Sequence, residues 1–208
     1  TKAGFQSLKI TSADAELFFK SGGSSGDPKL SVFTYADYHT QMRAAAEGLL
    51  AAGLDPAHDR VMNLFFGGGL YGGFVSFFSV LEILEATQFP MAAHIDHRMV
   101  AEAIVQHRVD TLLGMPSYIL QVFSAGADLL REYRGIKKIF FGGEHLGERQ
   151  RRRLQDEFGV VTIRSAIYGS VDAGPLGYQC EHSKGSIHHV LTASQQLEIV
   201  AMDSDRAV

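Results

Sequence analysis

A run of small, hydroxylated and basic residues follows the first apolar segment of the chain. It is SGGSSGDPK at 21–29, directly after LFFK at 17–20. Glycines allow consecutive backbone N–H groups to turn toward one anion, and serine hydroxyls and a lysine ammonium add donors and positive charge. These groups suit a polyphosphate. On the residues alone, a flexible turn joining two hairpin strands, LFFK and LSVF, remains the alternative.

A second group of reactive side chains lies in CEHSKGSIHH at 180–189. Cys180, His182, His188 and His189 are residue types that ligate Zn²⁺; Cys180, His182 and His188 are the candidate ligands, and histidines of a surface hairpin are the alternative. Cys180 is the only cysteine of the sequence, which excludes an internal disulfide and is typical of a reducing compartment. We therefore expect a cytoplasmic protein.

Basic residues concentrate in RQRRR at 149–153, on a segment with helical spacing. Consecutive helical positions cannot share one face, so most of these arginines are expected on a solvated surface. Contact of one of them with an anion is the alternative.

Length and charge limit the classes of function. The chain has 208 residues, 46% of them hydrophobic, and can bury one sizeable core. Its formal net charge of -4 provides no basic field for binding nucleic acid. No apolar run is long enough to span a bilayer. We expect neither a nucleic-acid partner nor a membrane partner.

Short apolar runs alternate with helical segments as far as residue 168. Strand-like runs are at 17–20, 61–66, 87–91, 111–115, 138–143 and 160–168, and helical spacing occurs at 35–52, 72–85, 97–107, 117–124 and 147–158. The alternation predicts an α/β fold, a mostly parallel sheet flanked by helices, with ligands at the carboxyl ends of the strands. Strand-like pieces at 176–180, 186–191 and 196–202 follow. We therefore expect a sheet core at 1–168 and a short β-rich segment at 169–208.

The segment FFKSGGSSGDPK at 18–29 resembles the AMP-binding signature of adenylate-forming enzymes at every position. Later segments resemble consecutive parts of phenylacetate–coenzyme A ligases and their close relatives: DRVMNLFFGGGLYGGF at 59–74, LLGMPSYIL at 112–120, KIFFGGEHL at 138–146 and IYGSVDAGPLGYQC at 167–180. The resemblance covers nearly the whole chain, and it favours the phosphate loop over the flexible turn.

The resemblance implies a site for ATP. The residues implied for the phosphates are Ser21, Gly22, Gly23, Ser24, Ser25, Gly26 and Lys29. The residues implied for the adenine are Gly142, Gly143, Glu144, Tyr168 and Gly169, with the tyrosine ring as a stacking face. His145 stands where the family more often has proline. Core packing is the alternative role of Tyr168.

A metal site is also implied by the resemblance. Asp172 stands where the family usually has a glutamate that ligates Mg²⁺, and aspartate keeps the carboxylate but is one methylene shorter. Lys29 and Asp172 are therefore the implied catalytic residues, and an exposed turn aspartate is the alternative for Asp172. Some relatives hold a structural zinc near Cys180 with later cysteines, which this sequence lacks.

The implied reaction joins a carboxylic acid to ATP as an acyl-adenylate and then transfers the acyl group, usually to coenzyme A. Positioning and charge neutralisation supply most of the catalysis of the first step. The implied acyl pocket consists of Phe66, Gly67, Tyr71, Phe74 and Pro116, and its rings favour an aromatic acid. Ordinary core packing is the alternative for each ring.

Family enzymes continue to a ribose-binding aspartate, a hinge and a C-terminal domain that carries a lysine for adenylation. None of these can be located in this sequence, so we expect a single partial adenylation domain with little turnover by itself. Exposed apolar surface would favour self-association, for example a homodimer. Three alternatives stay open: an adenylating protein of phenazine antibiotic biosynthesis, an acyl-protein synthetase, and a non-catalytic module that binds a nucleotide or an aryl acid.

Overall fold

A computed structural model describes residues 14–22 and 28–203. Its centre is a parallel sheet of five strands in the order β4-β3-β5-β6-β7. The strands are β3 Arg60–Leu64, β4 Thr87–Pro90, β5 Thr111–Gly114, β6 Lys138–Phe141 and β7 Thr162–Ser165. Parallel pairing requires crossover connections, and the alternation of strands and helices in the sequence supplies them. The predicted α/β fold is confirmed.

Helices cover both faces of this sheet. They are α1 Tyr35–Ala51, α2 Gly73–Ile83, α3 His97–Gln106, α4 Pro116–Ala125, α5 Ala127–Tyr133 and α6 Glu148–Phe158. Side chains of neighbouring strand positions point to opposite faces, so Leu112 packs in one apolar cluster and Leu113 in the other. The first cluster contains α3 to α6, and the second contains α1 and α2. This burial on both faces explains the continuous apolar strand runs.

Local signals explain where several helices begin and end. Thr34 caps α1 by accepting a hydrogen bond from Asp37 N at 3.1 Å, and Asp96 caps α3. Pro116 occupies the first turn of α4, where its missing N–H costs nothing. Gly159 ends α6 in a left-handed conformation, with a φ of 74°.

Two antiparallel pieces accompany the parallel sheet. A hairpin of β1 Leu17–Lys20 and β2 Leu30–Phe33 comes before α1. A sheet of β8 Tyr168–Ser170, β9 Gly174–Tyr178 and β10 His189–Val190 comes after β7, in the order β10-β9-β8. The expected β-rich segment is thereby confirmed.

The structure differs from the sequence prediction in three places. The predicted strand at 160–168 is divided into β7 and β8, because Ala166 and Ile167 leave the parallel ladder. Residues 196–202 form no named strand, and Leu197, Ile199 and Met202 are exposed. The short helix α5 was missed, since its N-cap, Gly126, forms no side-chain cap. None of the described helices combines the length and hydropathy needed to cross a membrane.

Candidate active site

The carboxyl ends of the parallel strands bring the predicted site segments together. Residue 115 follows β5, residue 142 follows β6 and residue 166 follows β7. Gly142 N donates to Gly114 O at 3.3 Å, and Ala166 N donates to Phe141 O at 2.7 Å. These bonds lie just past the strand ends and hold adjacent loops side by side. The site therefore lies where ligands bind in open α/β sheets.

The predicted phosphate loop connects the two strands of the β1–β2 hairpin. Ser21 N donates to Lys29 O at 2.9 Å, and Lys29 N donates to Ser21 Oγ at 2.8 Å. Gly23, Ser24, Ser25 and Gly26 lie outside the described residues. Gly22 and Lys29 are exposed at the two ends of the loop. The hairpin also pairs with the glycine-rich segment after β3, because Lys20 N donates to Leu70 O at 2.8 Å.

Asp172 lies in the turn between β8 and β9, close enough to Lys29 for their charges to interact. Its Oδ1 accepts a hydrogen bond from Ser170 Oγ at 2.8 Å, and Ser170 Oγ accepts from Ala173 N at 3.2 Å. The Ser170 hydrogen bond lowers the pKa of Asp172 below its usual value, and the charge of Lys29 lowers it further. The two residues predicted to be catalytic are therefore far apart in the sequence but within range of each other's charge.

Ser170 and Asp172 present the hard oxygen atoms that Mg²⁺ prefers, and the carboxylate is held in its charged form. Asp172 is exposed, so an ion there could keep several of its waters. The residues present therefore fit a magnesium ion shared with phosphate oxygens.

All five residues predicted for the adenine line one cavity of about 620 Å³: Gly142, Gly143, Glu144, Tyr168 and Gly169. The Tyr168 side chain is not core, since the residue is 60% exposed. Its ring lies 5.5 Å from the ring of His188, which also lines the cavity. A β-carbon on Gly142 would lie 3.3 Å from Phe65 Cζ, so glycine permits this close packing. The cavity offers a flat aromatic face beside exposed backbone.

The Glu144 carboxylate accepts two hydrogen bonds from Ser117. Its Oε2 accepts from Ser117 N at 2.8 Å, and its Oε1 accepts from Ser117 Oγ at 2.9 Å. Ser117 is the second residue of α4, so the carboxylate satisfies an N–H that the helix itself leaves free. No local sequence pattern predicts this contact between residues 27 positions apart.

The residues predicted for the acyl pocket surround the same edge of the sheet. Tyr71 is half-buried, and its pKa is raised by burial and, to a smaller degree, by the charge of Glu144. The Phe66 ring contacts the rings of Tyr118 and His94 edge-on, at 5.9 and 5.3 Å. His94 Nε2 lies 2.8 Å from Gly67 O.

Close packing fixes the remaining two acyl-pocket residues. Phe74 N donates to Phe66 O at 3.0 Å, and a β-carbon on Gly67 would lie 3.1 Å from Phe74 Cβ. Pro116 is buried at the start of α4. Phe74 and Pro116 are therefore held largely by backbone and core contacts, and neither lines either of the two cavities described here.

A second cavity of about 210 Å³ lies between the hairpin, α1, α2 and the β8–β9 pair. Tyr71, Gly72 and Gly73 line it, together with apolar side chains such as Phe19 and Met42. Ile167 and Gly169 line both cavities. The two cavities are therefore adjacent.

Arg151 is a cavity residue that the sequence prediction missed. Its guanidinium donates to Leu146 O at 3.2 Å and to Ile163 O at 2.7 Å, and lies 5.1 Å from the centre of the Phe141 ring. Burial lowers its pKa. The run RQRRR does not indicate which arginine is partly buried, because only the contacts of the folded chain distinguish Arg151 from its solvated neighbours.

The zinc trio is not assembled in the described structure. His189, and not the predicted His188, faces Cys180, with Nε2 at 3.2 Å from Sγ. The ring of His182 is exposed beside Glu181, and the ring of His188 lies beside Tyr168. Within 14–22 and 28–203, no three Cys, His, Asp or Glu side chains stand together to hold a metal. The turn geometry directs the predicted ligands apart.

Comparison with known proteins was made by sequence and by structure. A family model described as AMP-binding enzyme matches residues 9–207. Indoleacetate–lysine synthetase of Pseudomonas savastanoi is 33% identical over 81 residues, which are 37% of this chain and 19% of that protein.

Solved structures with the same fold include two ligases. A 2-hydroxyisobutyryl-CoA ligase, solved with 2-HIB-AMP and CoA, matches with a TM-score of 0.73 and 17% identity over 88% of this chain and 39% of the ligase. An acyl-CoA synthetase of Brucella canis matches with a TM-score of 0.70 and 16% identity, over 96% of this chain and 36% of the synthetase. The chain thus spans well under half the length of these proteins.

Proposed function

Because the chain belongs to the family of AMP-binding enzymes, we propose that the whole protein activates a carboxylic acid with ATP, as an acyl-adenylate. One observation carries the proposal: the five residues predicted for adenine line a single cavity of about 620 Å³. The charges of Lys29 and Asp172, the residues proposed for the phosphates and the metal ion, act on one another. A base, a polyphosphate and a metal ion then each have a complementary surface.

Each group of residues has a role in this proposal. The adenine stacks on Tyr168 and lies along the backbone of Gly142 and Gly143. The phosphates bind the loop at 21–29, where Lys29 adds charge to the loop donors. Asp172 and Ser170 would hold Mg²⁺, which neutralises phosphate charge when bound.

The chemical step is a displacement at phosphorus. A carboxylate oxygen of the acid attacks the α-phosphorus of ATP, and the bond to the bridging oxygen breaks with its electron pair leaving on pyrophosphate. The chain's own residues hold the reactants in line and stabilise the charge, and no side-chain nucleophile is required. Lys29 interacts with the charge that develops on the phosphate oxygens.

An aromatic acid is the substrate class that the pocket favours. Phe66 and Tyr71 offer aromatic rings, and the glycines at 67–69 leave room for backbone to approach a flat ligand. The similarity to a synthetase of indoleacetate and lysine supports the same class.

Coenzyme A is the acceptor that we propose for the acyl group. Its thiol sulfur attacks the acyl carbon, AMP leaves and the thiol proton passes to water. The fold shared with a ligase solved with CoA supports this step. An amine acceptor is the second candidate, favoured by the indoleacetate–lysine synthetase relative.

Acid-dependent exchange of labelled pyrophosphate into ATP tests the proposal with the full-length protein. Phenylacetate, benzoate, 1-naphthoate and indole-3-acetate are the aromatic probes, and 2-hydroxyisobutyrate is the aliphatic one. Exchange with an aromatic acid supports the proposal, and AMP release on adding coenzyme A or lysine then identifies the acceptor. Exchange with 2-hydroxyisobutyrate alone would refute the aromatic class, and no exchange with any acid would refute the reaction.

A further inference from the structure

We propose that Glu144 is a positioning residue that shapes the acid pocket by holding the start of α4. This inference rests on the proposed function, because it assigns roles to two parts of one active site. It differs from the sequence prediction, in which Glu144 contacts the adenine. Here its backbone borders the nucleotide cavity while its carboxylate serves the acid pocket.

The N-terminus of helix α4 lacks a side-chain cap from its own N-cap residue. Its N-cap residue, Met115, makes no side-chain capping bond, although the first N–H groups of a helix need acceptors. Glu144 supplies the acceptor from another loop, through Ser117 N at 2.8 Å and Ser117 Oγ at 2.9 Å. A carboxylate at this end also interacts favourably with the helix dipole. The start of α4, including Pro116, is therefore tied to the loop after β6.

The same carboxylate acts on a second acid-pocket residue. The charge of Glu144 reaches the hydroxyl of Tyr71, which is half-buried on the glycine-rich segment after β3. Pro116 and Tyr71 come from different segments of the chain, and Glu144 is the charged group near both. Its loss would loosen two walls of the acid pocket together.

The other side of this loop borders the nucleotide. Gly142, Gly143 and Glu144 line the larger cavity, and Gly143 has a φ of 79°, which glycine adopts without strain. A β-carbon on Gly143 would lie 3.8 Å from Met115, the N-cap of α4. The backbone of this loop therefore borders the cavity, while the Glu144 carboxylate that projects from it is bonded to the start of α4.

The test uses Glu144→Gln and Ser117→Ala in the full-length protein, singly and together. Glu148→Gln is the matched control, an exposed glutamate that follows four residues later. Pyrophosphate exchange is measured with phenylacetate, benzoate and indole-3-acetate, varying acid at saturating ATP and then ATP at saturating acid. Thermal unfolding midpoints are recorded for every variant.

We expect both single variants to raise KM for the acid about five- to tenfold, the scale of one charged hydrogen bond at a partly exposed site. KM for ATP should stay within about twofold, and the double variant should add little, because both changes remove one contact. Glu148→Gln should change neither constant.

Three results would overturn the inference. A raised KM for ATP with Glu144→Gln would mean that this side chain contacts the adenine. A lower unfolding midpoint with unchanged KM for the acid would make the contact purely structural. Equal increases in both KM values would remove the selective action on the acid pocket. Failure of the wild-type protein to exchange with any acid would refute the proposed function as well, which separates the two failures.

Discussion

Lys29 and Asp172 carry opposite charges that interact, and single substitutions isolate each of them. Lys29→Ala should weaken ATP binding about tenfold, since hydrogen bonds to charged groups contribute roughly 1.5–3 kcal/mol. Lys137→Ala is the control, because Lys137 precedes β6 at the opposite edge of the sheet. Calorimetric titration of ATP·Mg²⁺ measures both. Unchanged affinity in Lys29→Ala would mean that the loop at 21–29 does not bind phosphate.

Asp172 is the residue that tests the metal. Asp172→Asn keeps the shape but removes the charge, and should weaken ATP binding in the presence of Mg²⁺ about tenfold or more. The affinity in EDTA should change little, because the carboxylate acts through the ion. Asp156→Asn, on the exposed side of α6, is the control. An equal loss with and without Mg²⁺ would contradict a metal-ligand role.

The reactivity of the Cys180 thiol tests its contact with His189, which is found in place of the predicted zinc site. Hydrogen bonds from Ser183 Oγ and His189 lower the pKa of the thiol to about 6. The nucleophile is the thiolate, whose fraction grows as pH rises through the pKa, so alkylation should reach half its maximal rate near pH 6.

The measurement for Cys180 is iodoacetamide labelling of EDTA-treated protein, followed by mass spectrometry across pH. His189→Ala should shift the midpoint upward, because it removes a donor to the thiolate. A midpoint near that of a free cysteine, about 8.5, in the unaltered protein would contradict the arrangement.

Helix α6 shows what the sequence could and could not predict at the scale of elements. Its position was predicted from helical spacing and Gly159, which are local signals. The role of Arg151 depends on carbonyl groups of Leu146 and Ile163, which only the folded chain brings within reach.

Arg151→Met should therefore lower the free energy of unfolding by about 1–3 kcal/mol, since two carbonyl oxygens lose a charged donor. Arg152→Met on the exposed face of the same helix should change it by less than about 0.5 kcal/mol. Urea denaturation of both variants provides the comparison. Equal free energies of unfolding in the two variants would mean that Arg151 contributes no more to stability than a solvated arginine.

The same division between local and distant signals applies to the site. The adenine residues were predicted from contiguous motifs, and they line one cavity because the carboxyl ends of parallel strands meet at one edge. The bond of Glu144 to Ser117 and the pairing of Cys180 with His189 join turns whose relative placement no local pattern encodes. Residues 160–168 were predicted as one strand because the apolar run hides the departure of Ala166 and Ile167 from the sheet.

At the scale of the whole molecule, a parallel sheet covered on both faces supports the site loops after β3, β5, β6 and β7, while the β1–β2 hairpin carries the loop at 21–29 and the β8–β9 turn carries Asp172. The chain spans 39% of the 2-hydroxyisobutyryl-CoA ligase and 36% of the Brucella canis acyl-CoA synthetase. Activity, substrate and acceptor are therefore proposed for the full-length protein, and the residues proposed to bind the nucleotide lie within this chain.

Calorimetric titration of the full-length protein with ATP·Mg²⁺, and with GTP·Mg²⁺ as the comparison, tests the nucleotide site most directly. We expect that ATP binds one site per chain, that GTP binds more weakly, and that Tyr168→Ala weakens ATP binding through lost stacking. Stacking of a base on an aromatic ring contributes about 1–3 kcal/mol, or roughly five- to a hundredfold in affinity. A folded protein that binds no ATP, or binds it equally well without Tyr168, would contradict the assignment of the cavity.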